Sequence, residues 1–185
     1  MDECQKKYNL GLVIGRFQGL HVGHEFLIQS AYEECENLLV LVGSAQEKGT
    51  MRNPFDLRVR IGMLKALYKD VPNLYIGFIN DLTNENDHST DWIEYLFQQA
   101  NEWKDFYGVR GNFDAMCTGN DEERKFWLLP QDIKQLNLDR ANIPVSSTIM
   151  RGYLAWNSHD LWTQYTNPRL HIFYQHLRKQ LMEVK

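Results

Sequence analysis

The chain has 185 residues, of which 43% are hydrophobic and 12% aromatic, enough to build one well-packed domain. Its formal net charge of −4 argues against binding to nucleic acid or to an anionic membrane, so we expect neither partner. The three cysteines, Cys4, Cys35 and Cys117, are widely spaced, which predicts free thiols in a reducing compartment. The sequence shows neither a secretory signal nor an apolar run of about 18 residues, so we expect a cytoplasmic protein.

Short apolar runs alternate with amphipathic segments along the chain, which is the pattern of an α/β fold. The predicted strands are residues 8–14, 38–42, 74–79, 115–118 and 135–138. The predicted helices are residues 25–36, a helix that begins at Pro54, a helix that carries Trp92, and residues 121–129, 148–155 and 168–182. We therefore predict a Rossmann-like parallel sheet with helices on both faces over residues 1–155. Residues 156–185 are predicted to form a small C-terminal helical extension packed on the same domain.

The segment between the first strand and the first helix contains Gly15, Gly19 and Gly23 together with His21 and His24. Glycines permit a tight turn, and a helix N-terminus exposes unpaired N–H groups that favour a phosphate. Two imidazoles three residues apart can project toward the same ligand. A zinc site would need further ligands, and the sequence shows no other cluster of histidines or cysteines. We therefore predict that the two histidines donate hydrogen bonds to a phosphate, and we predict no metal site in the protein.

Two further loops are predicted to lie at the same edge of the sheet, where ligands bind in parallel α/β proteins. The loop 43–53 contains Arg52, whose planar guanidinium matches phosphate oxygens, although an ordinary solvated loop also carries such cations. Ser146 and Ser147 are predicted to cap the helix 148–155, and Arg151 lies in its first turn, where anions are attracted. The three loops together predict one phosphate-binding site.

Two interpretations are open for Trp92. An aromatic side chain near the end of a strand can stack on a flat ligand ring. Leu96 and Phe97 continue the apolar face of the same helix, however, which favours a core position for the tryptophan.

These segments together resemble the nucleotidyltransferase α/β superfamily with an HxGH motif. They resemble more closely the archaeal-type nicotinamide mononucleotide adenylyltransferases, without the Nudix domain that is fused to some relatives. The resemblance spans residues 8–155 and rests on residues 15–24, 43–55 and 146–151, with Arg58 near the Glu-Arg end of the second motif. It implies transfer of AMP from ATP to nicotinamide mononucleotide, giving NAD and pyrophosphate, with Mg²⁺ bound to the ATP phosphates.

The resemblance also implies roles for individual residues. The predicted catalytic residues, all contacting phosphates, are His21, His24, Arg52 and Arg151. The predicted ATP-binding residues are Gly15, Arg16, Phe17, Gly23, Asn120, Ser146, Ser147 and Thr148. The predicted mononucleotide-binding residues are Ser44, Asp81 and Trp92, with Trp92 stacked on the nicotinamide.

Three alternatives stay open from the sequence. The first is an adenylyl- or cytidylyltransferase that uses another phosphate acceptor, and the second is a regulator that senses NAD without turnover. The third is a structural or subunit-interaction protein that retains only the fold. The expected partners are the small molecules ATP and nicotinamide mononucleotide. The aromatic-rich tail either covers the core or forms a subunit interface, so a homo-oligomer also stays open.

Overall fold

A computed structural model describes residues 6–84, 87, 89–119, 129–137 and 143–184. Across these residues, five parallel strands form one sheet in the order β3-β2-β1-β4-β5. The strands are β1 (Tyr8–Gly15), β2 (Cys35–Val42), β3 (Leu74–Phe78), β4 (Ala115–Thr118) and β5 (Lys134–Asn137). The helices are α1 (Val22–Glu34), α2 (Leu57–Tyr68), α3 (Thr90–Phe106), α4 (Ser147–Ala155), α5 (His159–Gln164), a 3-10 helix (Pro168–Phe173) and α6 (Tyr174–Met182). The predicted Rossmann-like α/β fold is confirmed.

Both faces of the sheet are buried, which explains the continuous apolar runs in its central strands. On one face Val13 and Val40 belong to a core that includes side chains of α1, α2 and the C-terminal helices. On the other face Leu12 and Leu39 pack with the apolar side of α3. Because β1 lies between β2 and β4, the chain reverses its direction of travel across the sheet beside β1. Ligands in open parallel sheets bind at such a point, outside the carboxyl ends of the strands.

Helix α1 begins at Val22, three residues before the predicted start at residue 25. His21 is the capping residue, because its Nδ1 accepts a hydrogen bond from the backbone N–H of Gly23 at 3.1 Å. The helix ends at Glu34, so β2 begins at Cys35 instead of residue 38. The earlier start of α1 places His24 inside the first turn of the helix.

Helix α2 begins at Leu57 and not at Pro54 as predicted. Asp56 caps it, and its carboxylate accepts a hydrogen bond from the backbone N–H of Val59 at 2.9 Å. A charged cap with a bonded N–H is a stronger start signal than a proline, which only tolerates the first turn. Pro54 therefore lies in the loop that precedes α2.

The C-terminal region contains more elements than the single predicted helix 168–182. It forms α5, the 3-10 helix and α6, and Asn167 caps the 3-10 helix by accepting from the N–H of Arg169 at 3.1 Å. Trp162, Leu170 and Leu177 are buried in the same core as β1 and α2. The predicted helix 121–129 falls almost entirely outside the described residues. Among those that are described, no helix is both long enough and apolar enough to cross a membrane.

Candidate active site

The candidate site involves loop 1 (16–21) after β1, loop 2 (43–56) after β2, and loop 3 (143–146) before α4. Gly19 of loop 1, at φ +91°, lies where loop 1, loop 2 and α4 come together. A Cβ placed on it would be 3.7 Å from the ring of Phe55 in loop 2 and 3.8 Å from Cβ of Met150 in α4. Loops 1 and 2 are also joined where they leave the sheet, because the N–H of Gly43 donates to the carbonyl of Gly15 at 2.9 Å.

The two predicted histidines lie side by side at the N-terminus of α1. Their ring centroids are 3.9 Å apart, and the ring of His24 meets that of Phe17 edge-on at 5.2 Å. His21 is only 2% exposed, and its Nδ1 acts as an acceptor toward Gly23. A neutral His21 therefore carries its proton on Nε2, which makes that atom the donor. A Cβ on Gly23 would lie 3.0 Å from the His21 ring, so a larger residue there would press on the imidazole.

Two guanidinium groups, those of Arg16 and Arg151, lie within electrostatic reach of each other. Burial and then the positive charge of Arg16 lower the pKa of Arg151. Arg151 is fixed on the first turn of α4, because its Nη2 donates to Oγ1 of Thr148 at 3.2 Å. Ser146 caps that helix and accepts from the N–H of Ile149 at 3.3 Å. Two positive charges within electrostatic reach of each other, one of them near a helix N-terminus, favour the binding of an anion.

Ser44 and Asp81, both predicted to bind the mononucleotide, contact each other. The hydroxyl of Ser44 donates to Oδ1 of Asp81 at 3.0 Å. Gln46 donates to the other carboxylate oxygen at 3.2 Å and accepts from the Asp81 N–H at 3.1 Å. Asp81 thus attaches loop 2 to the segment that follows β3.

The site contains a residue that sequence reasoning missed, the fully buried Arg60 of α2. Its guanidinium donates to main-chain carbonyls of both loop 1 and loop 2. Burial lowers the pKa of Arg60 to about 10, although the charges of Asp56 and Asp81 act in the opposite direction. Arg58, which the resemblance placed near the end of the second motif, is exposed. One indication in the sequence that Arg60 is buried is its position beside Val59 on the apolar side of α2.

The remaining predicted residues are spread more widely. Arg52 is exposed in loop 2, and Ser147 and Thr148 lie at the start of α4. The ring of Phe17 is buried and folds over Gly15, where a Cβ would come within 3.0 Å of it. Trp92 is only 6% exposed and packs in the core beneath α3. Asn120 lies outside the described residues.

The cytidylyltransferase-like family provides the decisive comparison, because its sequence model matches residues 12–153. The chain belongs to the cytidylyltransferase-like family. Within that family it is similar to the nicotinamide/nicotinic acid mononucleotide adenylyltransferase of Acinetobacter baylyi, with 28% identity over 78% of this chain and 74% of that protein. It is 44% identical to the nicotinamide-nucleotide adenylyltransferase of Saccharolobus solfataricus, over 46% of this chain and 50% of that protein.

A solved structure of the same architecture is a bifunctional NMN adenylyltransferase/ADP ribose pyrophosphatase from Francisella tularensis, complexed with AMP and a manganese ion. The TM-score is 0.71 at 18% identity, and the match covers 94% of this chain and 52% of that one. At this identity the likeness shows the fold. The chain thus spans about half the length of this structure and of the Saccharolobus relative.

Proposed function

We propose that the protein transfers the AMP group of ATP to nicotinamide mononucleotide, forming NAD and pyrophosphate. The observation that carries the proposal is a set of side chains able to donate hydrogen bonds to phosphate near the carboxyl end of β1. His21 and His24 lie at the N-terminus of α1, and Arg151 of α4 lies within electrostatic reach of Arg16. The names of the similar proteins supply the acceptor, since this geometry by itself specifies only phosphates.

The reaction is a direct displacement at phosphorus. A phosphate oxygen of the mononucleotide forms a bond to the α-phosphorus of ATP while the bond to the α,β-bridging oxygen breaks. Pyrophosphate leaves with that electron pair. The acceptor phosphate is already ionised at neutral pH, so the protein needs neither a strong base nor a covalent intermediate. Its task is alignment, which can contribute ~7–11 kcal/mol, and stabilisation of charge on the leaving group.

The proposed roles follow the position of each side chain. His21 donates from Nε2, and His24, Arg151 and Arg16 provide further donors to the ATP phosphates. The N-terminus of α4, formed by residues 146–148, adds its unpaired N–H groups. Arg52 reaches the phosphates from the exposed part of loop 2.

Ser44, Asp81 and Trp92 are proposed to contact the mononucleotide. For Ser44 and Asp81 the support is their shared position at the junction of loop 2 and the segment after β3. For Trp92 the support is its position in the first turn of α3, after the segment that carries Asp81, although only 6% of the residue is exposed.

Mg²⁺ fits this site as an ion that arrives with ATP. Among the described residues, no three His, Cys, Asp or Glu side chains are grouped closely enough to hold a metal. Phosphate oxygens and water are the ligands that Mg²⁺ prefers, and the ion would neutralise charge on the pyrophosphate. We also propose a cytoplasmic location, which the buried free thiols Cys35 and Cys117 favour.

The proposal is tested by pyrophosphate release from purified protein supplied with ATP, Mg²⁺ and nicotinamide mononucleotide, with NAD detected through a coupled dehydrogenase. CTP in place of ATP, and nicotinate mononucleotide or phosphopantetheine in place of the acceptor, serve as substrate controls. We expect NAD only when ATP and the nicotinamide acceptor are both present. A folded protein that binds ATP but releases no pyrophosphate with this acceptor would refute the proposal.

A further inference from the structure

Arg60 binds main-chain carbonyls of loop 1 and loop 2 at once. Its Nη1 donates to the carbonyls of Gly43 at 2.8 Å and Arg16 at 3.0 Å. Its Nη2 donates to the carbonyl of Ser44 at 3.0 Å and more distantly to that of Glu47 at 3.4 Å. A planar guanidinium with five donors can do this, whereas a lysine ammonium cannot span the same set of acceptors.

The bonded carbonyls fix the direction of the N–H groups on the other side of the same peptides. A trans peptide is planar, and its C=O and N–H point in opposite directions. The peptide groups between Arg16 and Phe17, and between Gly43 and Ser44, therefore direct the N–H groups of Phe17 and Ser44 away from the buried Arg60. One of these N–H groups belongs to loop 1 and the other to loop 2.

Phe17 and Ser44 share a second property, a left-handed backbone conformation with φ of 49° and 46°. Residues other than glycine rarely adopt this conformation, and where they do, the surrounding structure must hold them there. Backbone turns of this kind can present successive N–H groups to an anion. Arg60 supplies the required restraint, because it binds the carbonyl that precedes each of the two residues.

We propose that Arg60 is a positioning residue that directs the N–H groups of Phe17 and Ser44 at the phosphates of the nucleotide substrates. This inference rests on the proposed function for the identity of those phosphates. It explains why a charged side chain lies fully buried beneath two loops, and why Phe17 serves the site through its backbone while its ring is in the core.

The first test uses the wild-type protein and inorganic pyrophosphate as the probe. In ¹⁵N–¹H correlation spectra, we expect the amide protons of Phe17 and Ser44 to move downfield as pyrophosphate is added. The amide of Ala45 is the matched control from the same loop, because it already donates to the carbonyl of Ile79 at 3.1 Å. The inference is overturned if calorimetry shows that pyrophosphate binds while the amides of Phe17 and Ser44 do not shift. It is also overturned if pyrophosphate does not bind at millimolar concentration.

The second test compares Arg60→Lys with Arg58→Lys, an exposed arginine two residues earlier in the same helix. For Arg60→Lys we expect kcat to fall at least 30-fold and the Kd for pyrophosphate to rise at least tenfold, measured on folded protein well below its unfolding temperature. Arg58→Lys should stay within twofold of wild type in both. If a folded Arg60→Lys variant has the kcat and the pyrophosphate Kd of the wild type, Arg60 has only a packing role and the inference is overturned.

The two proposals fail separately. Amide shifts at Phe17 and Ser44 without any formation of NAD would refute the proposed function and support the positioning role in a different nucleotidyl transfer. Formation of NAD without those shifts would support the function and overturn the role of Arg60. If Arg60→Lys does not fold, absence of the shifts in the wild-type spectra still overturns the inference, because the two N–H groups would then not meet the phosphates.

Discussion

Gln18 and Phe55 are joined by a pair of hydrogen bonds that links loop 1 to loop 2. Nε2 of Gln18 donates to the carbonyl of Phe55 at 3.3 Å, and the N–H of Phe55 donates to Oε1 of Gln18 at 2.9 Å. Both residues are buried. One side-chain amide thus satisfies both polar groups of a buried residue, and it fixes the distance between the two loops that carry the site.

We expect Gln18→Met to lower the free energy of unfolding by about 2–3 kcal/mol. The substitution keeps the length of the side chain but leaves the N–H and carbonyl of Phe55 buried without their partner. Urea denaturation measures the loss. Gln29→Met is the control, because Gln29 is exposed and bonds only Glu33 on the surface of α1. Equal midpoints for the two variants would show that the pair contributes nothing to stability.

His24→Ala should retain the fold and lower kcat by about 10²-fold or more, since the ring supplies a donor to the phosphates. The measurement is pyrophosphate release at saturating ATP and mononucleotide. His159→Ala is the control, because that histidine is exposed and lies beside Asp160 in the C-terminal region. Near-normal turnover in His24→Ala, on protein that unfolds cooperatively, would contradict the assigned role.

Much of the sheet was predictable, since a parallel strand buried on both faces is a continuous apolar run, and β4 is observed with its predicted bounds. Helix starts were less predictable, because they depend on the capping residue. His21 caps α1, so the helix begins at Val22 and not at the predicted residue 25. Arg60 could not be assigned a role from the sequence, because its partners are carbonyls between 4 and 44 residues away along the chain. Every residue has a backbone carbonyl, so the residue types in the sequence do not indicate which carbonyls Arg60 binds. Only the structure shows these contacts.

Trp92→Ala should raise the KM for the mononucleotide more than the KM for ATP, because Trp92 is proposed to contact the nicotinamide. It should also lower the free energy of unfolding by about 3–5 kcal/mol, because a large buried ring leaves a cavity. Trp156→Ala, at a tryptophan that is 78% exposed, is the control for stability. Equal changes in the two KM values would show that Trp92 is purely a core residue.

Gln180→Met tests whether the C-terminal helix supports the site. Gln180 of α6 donates to Oδ2 of Asp56 at 2.6 Å and accepts from the Asp56 N–H at 3.1 Å. Asp56 in turn caps the helix that carries Arg60. We expect a loss of about 1–2 kcal/mol in urea denaturation, together with a lower kcat. Gln175→Met, at an exposed position of the same helix, should change neither. A stability loss with unchanged kcat would limit α6 to a packing role.

The decline of the free energy of unfolding at alkaline pH should depend on Tyr68. Burial, and then the charge of Glu25, raise the pKa of Tyr68 above its ordinary value of about 10. The unfolded chain therefore loses this proton at a lower pH than the folded protein does. The native state binds more protons above pH 10, so the free energy of unfolding falls as pH rises, by about 1.4 kcal/mol per unit for this group.

Tyr68→Phe should flatten that decline between about pH 10 and pH 12, because the phenylalanine has no proton to lose. Denaturant unfolding of the variant and the wild type across pH 8–12 gives the comparison. The difference between the two curves isolates Tyr68 from lysines and other tyrosines that titrate in the same range. At pH 8 the Tyr68 phenol is protonated in both the folded and the unfolded state. The wild type and the variant should therefore differ there only by the packing of one hydroxyl group. Curves that stay parallel up to pH 12 would mean that the Tyr68 phenol ionises as easily in the folded protein as in the unfolded chain.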